Sequence, residues 1–234
     1  MKRSTILILG TVTLLSQACQ QKNEETKQAV AEVAKTEVNE NPNQVVFENL
    51  DQVLSPFEDM TEFALDKNEE GINKSLEKVE AVLKEGMFEK NLTAEGMKSF
   101  STQVDKLKEL IKQKKYDQVA LASSDIFESN TSNFIDANKI ENQIRIEHLD
   151  YMGFKILSLL NQEKIDWQLV QQTTANVKTV WASLSPEIKD NNLKDSFEYL
   201  FEGLETAAKN KDIKIGEILA SMDLSLVDVL ENSI

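Results

Sequence analysis

Residues 215–230 read IGEILASMDLSLVDVL. Ile215, Ile218, Leu219, Met222, Leu226, Val229 and Leu230 recur at three- and four-residue intervals, which lines them along one side of an α-helix. A stripe this regular seeks cover, in a core or at an interface. Working back along the chain, the same spacing recurs almost everywhere. Leu193, Phe197, Leu200, Phe201 and Leu204 mark one helix, and Trp167, Val170, Val177, Val180, Trp181 and Leu184 mark another, capped by Asp166. Ile140, Ile144, Leu149, Met152, Ile156, Leu159 and Leu160 mark a long one. Ahead of these come Tyr116, Val119, Ala120, Ile126 and Phe127; then Phe100, Val104, Leu107 and Ile111, starting near Thr93; then Ile72, Leu76, Val79, Val82 and Leu83, closed by Gly86. The first stripe is Val46, Leu50, Val53 and Leu54, continuing to Met60, Phe63 and Ala64; Ser55-Pro56-Phe57-Glu58 inside it has the form of a capping box and predicts a kink or restart.

Composition agrees with an all-α fold. Seven glycines and three prolines in 234 residues supply too little turn chemistry for an all-β chain. Short connections between successive helices imply antiparallel neighbours, hence an antiparallel helix bundle. Asn130-Thr131-Ser132-Asn133 reads as a polar break at the midpoint. Leu107, Ile111, Lys112, Lys114, Tyr116 and Leu121 stand 97 residues before Leu204, Ala208, Lys209, Lys211, Ile213 and Ile218. The expected organisation is therefore two related four-helix units in tandem, over residues 43–132 and 133–234.

The N-terminus is of another kind. Lys2 and Arg3 precede an apolar run from Ile6 to Leu15 and then Ser16-Gln17-Ala18-Cys19, which holds the single cysteine of the chain. A basic start, about ten apolar residues and a small residue at the break describe a secretory signal over residues 1–18. It resembles the lipoprotein signal of bacteria, with Ser16 where that family usually has Leu and with Ala18 as the expected small residue. The resemblance implies cleavage before Cys19 and acylation of its sulfur, palmitate included. Gln20-Gln21-Lys22-Asn23-Glu24-Glu25 is similar to the lipoprotein export signal of Bacteroidota, a short Gln/Lys and acidic patch after the cysteine; Gln21, Lys22, Glu24 and Glu25 would carry it. That resemblance implies an outer-membrane lipoprotein facing the cell exterior, attached through its acyl chains. Residues 19–42, rich in Glu, Lys, Gln, Asn and Ala, read as a flexible tether.

Charge and missing residues exclude much chemistry. The formal net charge is −14, which repels phosphate backbones and argues against nucleic acid as a partner. His148 is the only histidine, so no two-histidine metal site can be built; there is no glycine-rich phosphate loop, no glycine elbow for a serine nucleophile and no spare thiol. No catalytic residue and no cofactor is expected.

Three constellations remain. Glu147, His148 and Met152 suggest part of a metal site completed from other helices, against a packed structural histidine beside Ile144. Asp66, Asn68, Glu70, Gly71 and Glu77 partly match a calcium loop, which requires oxygen ligands at alternate positions and a glutamate at the twelfth; an ordinary helix–helix turn is the competing reading. Phe154 and Tyr199 lie off the main stripes and are the aromatic candidates for an interaction surface, while Trp167 and Trp181 share a helix face that is more often core.

Two functions are consistent with these features. The leading one is a non-enzymatic, lipid-anchored helical module that binds a protein or small molecule. The alternative is a periplasmic or surface solute- or metal-binding lipoprotein that uses carboxylates with His148 or methionines.

Overall fold

A computed structural model describes residues 42–232, which belong to one compact unit. The signal, Cys19, the export-signal residues Gln21, Lys22, Glu24 and Glu25, and nearly all of the tether lie outside the described residues. The fold is all-α. In order the helices are α1 (Pro42–Leu65), α2 (Glu69–Lys84), α3 (Met87–Asn91), α4 (Ala94–Lys112), α5 (Tyr116–Ser132), α6 (Glu141–Leu160), α7 (Trp167–Leu184), α8 (Asn191–Asn210) and α9 (Ile213–Glu231), with short 3-10 turns at Ala137–Lys139 and Ser185–Glu187. Among the described residues no helix is long and apolar enough to cross a membrane.

Side-chain caps fix most of the helix starts. Asn68, Thr93, Asp166, Asp190 and Asp212 each accept a hydrogen bond from a backbone N–H of the following turn. Three helices end alike. Lys67, Lys114 and Lys211 adopt φ of 55°, 54° and 58°. At each the lysine N–H bonds back three residues and the next N–H bonds back five, as in Asp212 to Ala207 at 2.9 Å. This is a Schellman end with lysine where glycine is usual. Lys114 and Lys211 are one of the two lysine pairs that the 97-residue register aligns.

Two apolar clusters fill the body. One, from Val46 to Ile140, centres on Phe57, Phe88 and Phe100; the ring centroids of Phe88 and Phe100 are 4.2 Å apart. The other, from Ile146 to Leu230, centres on Trp181, Phe197 and Phe201, with Trp181 and Phe197 at 4.5 Å. Helices α6 to α9 close a ring, each touching the next and α9 returning to α6, and α6 also packs on α1 and α5.

Several sequence expectations change on this frame. Helix α1 does not restart at Ser55; it runs through Pro56, because Leu50, Val53, Leu54, Phe57 and Met60 on both sides of the proline enter one core. The Asn130–Ser132 stretch is not a break, since α5 continues through Ser132. Its polar side chains turn inward: the Asn130 amide donates to the Val53 carbonyl at 3.1 Å, and Thr131 Oγ1 donates to Phe127 at 3.0 Å. The chain breaks instead between Asn133 and Ile140.

The largest correction is at α9. Its buried face is Gly216, Ala220, Asp223, Val227 and Leu230. Ile215, Ile218, Met222 and Val229 of the regular stripe are 45–50% exposed. Close approach to α6 turns the helix this way. A Cβ on Gly153 of α6 would stand 2.6 Å from Leu224 Cδ2, and one on Gly216 would stand 2.9 Å from Leu160 Cδ1. Each glycine makes room for a leucine of the facing helix, and Ile215, Ile218 and Met222 are left outside.

Lys211→Gly relieves a left-handed lysine at an exposed helix end. It is expected to raise the unfolding free energy by up to about 1 kcal/mol, read from urea midpoints at unchanged slope; an unchanged or lowered midpoint contradicts the strain.

Candidate functional site

The residues proposed from sequence alone are scattered. His148 is half-buried on α6 and burial alone pulls its pKa below the ordinary value. Met152, one turn on, is 6% exposed and packs in the second core. Among the described residues no three His, Cys, Asp or Glu side chains converge as a metal set. The calcium-loop residues form no loop: α2 already starts at Glu69, Asn68 Oδ1 accepts from the Gly71 N–H at 3.0 Å, and Glu70 pairs with Lys74 at 2.7 Å. Glu77 lies well inside α2. Phe154 is 4% exposed and is therefore not part of an open aromatic patch, whereas Tyr199 is 73% exposed. Trp181 is buried in its aromatic trio, and Trp167 is half-buried against the same core.

The structure does bring together carboxylates, Glu147 and Asp66 among them, that the sequence did not group with one another. Asp51, Glu58 and Glu62 repeat at helical intervals along one side of α1, and Asp66 follows just past its end. Glu147 and Asp150 share a face of α6, three residues apart, and Asp228 and Glu231 do the same on α9. Helix α6 packs on both α1 and α9, and residues of all three faces line shared hollows there. Two hollows open along the seam. One of about 330 Å³ is lined by Phe47, Gln143, Glu147 and Glu231 among others; the other, of about 370 Å³, is lined by Glu58, Glu62, Asp66, Asp150 and Asp228 with Phe154, Leu157 and Leu224. No lysine, arginine or histidine lines either one.

Crowded carboxylates in a shielded place resist ionisation, because burial disfavours the charge and each neighbour adds repulsion. Burial first, then Glu231 and Asp59, pushes Glu58 up to about 7. Burial and then Glu231 and Glu58 push Glu147 up to about 8. Asp150, 7% exposed, is raised well above the ordinary aspartate range by burial, then by Glu58 and Glu147. Beneath the seam Asp223 is fully buried, with no hydrogen-bond partner on either oxygen, and burial raises it strongly too. Lys78 and Lys155 are engaged with other carboxylates: Lys78 holds Asp59, and the buried Lys155 holds Asp125 across α5 and α6.

What this arrangement can do is attract positive charge. Its carboxylates are strung along three helices rather than gathered at one point, so they suit several cationic groups in a row better than a single metal ion. No protein-family model matches the chain, and neither the curated proteins nor the solved structures contain a match to it.

The raised pKa values carry a sign. Glu58 and Glu147 hold protons to about pH 7 and about pH 8 in the fold but release them near 4.5 when unfolded. The folded chain therefore binds more protons across that window, and stability falls as pH rises through it. The melting temperature is expected to drop by at least about 4 °C between about pH 5 and about pH 8, and Glu147→Gln should flatten the slope. A melting temperature that climbs over this range contradicts the seam's electrostatics.

Proposed function

We propose that this chain is a non-enzymatic, lipid-anchored binding module whose acidic seam captures a cationic partner. The observation that carries the reading is Asp150: a carboxylate 7% exposed, at the wall of a cavity with four other carboxylates and no cation. A stable fold gains nothing from such a cluster, and a positively charged ligand removes its cost. The formal charge of −14 steers the same class of partner over longer distances. Attachment through Cys19, with residues 19–42 as the tether, suits presentation of this body away from an outer membrane, on the exterior face if Gln21, Lys22, Glu24 and Glu25 act as the export signal. The solute-binding alternative keeps one feature in its favour, the position of Glu147 on the smaller hollow beside His148.

The binding reading is tested with labelled octalysine and the purified full-length protein. Binding at low salt should weaken about tenfold or more in the Glu62→Gln/Asp228→Asn double variant. Equal affinity for the variant would show that the seam is not the site. The address is tested separately on intact cells with a non-permeating protease. Cleavage of the native protein, and protection of a variant with Lys22, Glu24 and Glu25 changed to Ala, is expected; equal protection of both would remove the export signal.

A further inference from the structure

Helix α9 borders the acidic cavity on one flank and presents an aliphatic row on the other. Ser221, Ser225 and Asp228 line the cavity. Ile215, Ile218 and Met222 are 45%, 48% and 49% exposed on the adjoining face. On a helix, Ser221 and Ser225 are the next side chains around from Ile218 and Met222, so the apolar row and the acidic wall are separated only by two small hydroxyls. On the far side of the row Tyr199, 73% exposed, and Gly203 of α8 continue the surface at Ile215. The outward turn of α9 forced by Gly153 and Gly216 therefore places hydrophobic area and uncompensated negative charge on one ridge.

We propose that α9 and the cavity beside it are a single docking surface for a cationic amphipathic helix of a partner protein, with aliphatic side chains of the partner along Ile215, Ile218 and Met222 and its lysines or arginines passing over Ser221 and Ser225 toward Glu62, Asp228 and Asp150. This rests on the cationic partner proposed above and adds its shape. Helix-on-helix recognition of this kind uses apolar anchors at three- and four-residue spacing. The choice of occupant follows from charge. A second copy would bring one acidic seam up to another at a formal charge of −14 each. Residues 20–41 of the chain itself hold five glutamates against three lysines, the wrong sign for the cavity. A metal ion finds no converging set of three ligands among the described residues, and a small polyamine would leave the aliphatic row uncovered.

The test uses two labelled peptides of identical Leu, Lys and Ala content, one with its leucines on a single helical face and one shuffled, with the full-length protein at about 0.15 M salt. Fluorescence anisotropy should show the amphipathic peptide binding about tenfold or more tighter than the shuffled one. Ile218→Ser and Met222→Ser, both at exposed positions, should each weaken the amphipathic peptide about fivefold and leave the shuffled peptide unchanged. Asp150→Asn should weaken both. Circular dichroism shows whether each variant keeps its helices. Equal affinity of the two peptides, or no effect of the α9 substitutions, overturns the composite surface while leaving a purely electrostatic site intact. Spermidine binding as tightly as the amphipathic peptide overturns it in favour of a small-cation site. Self-association of the protein that Met222→Ser abolishes assigns the row to a second copy and overturns it as well. No binding of either peptide at any salt concentration removes the cationic partner altogether.

Discussion

Helix α6 carries Glu147 and Asp150 into a crevice between α1 and α9 where no positive side chain meets them, and most of what is distinctive about this molecule follows from that. An isolated carboxylate in a shielded place either stays protonated or draws in a cation. Glu58 and Glu231 supply more negative charge at the same crevice, so burial and the local field together oppose ionisation of Glu58, Glu147 and Asp150. Elsewhere the same helix is conventional. Ile146, Leu149, Ile156 and Leu159 pack in the second core, and Lys155 is neutralised by Asp125. Basic residues are thus placed with care on α6, and the seam is the place they avoid.

The packing that makes the seam also makes the ridge next to it. Gly153 lets α9 press against α6, which drives Asp223 into the interior with both oxygens unpartnered and turns Ile218 and Met222 to the outside. Had bulk stood at Gly153, α9 would have to move away from α6 or rotate. The buried aspartate and the exposed isoleucines are two results of one close contact.

Much of the fold was legible because the helices announce themselves. The stripes around Leu107, Phe197 and Val177 fall on helices with buried faces as spaced, and the caps at Thr93 and Asp166 form as their residue types suggest. The short helix at Met87–Asn91 was missed because five residues are too few to show a period. At α9 spacing misled: the most regular aliphatic row in the chain lies largely outside, because contact with α6 selected glycine and alanine instead. Periodicity finds a helix and its apolar side, but it does not count the cost of approach distance. The acidic seam had a partial signal, the recurrence of Asp51, Glu58 and Glu62 beside a core stripe and the three-residue step from Glu147 to Asp150. On one helix such a row looks like an ordinary solvated face; only the meeting of three such rows gives it meaning, and that is a matter of topology.

A carbon-13 NMR titration of the aspartate and glutamate side-chain carboxyls from about pH 4 to about pH 9 measures the seam most directly. Assignment uses the Glu58→Gln, Glu147→Gln and Asp150→Asn variants. Midpoints of about 7 for Glu58 and about 8 for Glu147 are expected, with Asp150 titrating well above the ordinary aspartate range. If every carboxyl instead titrates near pH 4, the seam is solvated and unstrained, and there is no stored electrostatic demand for a cation to meet.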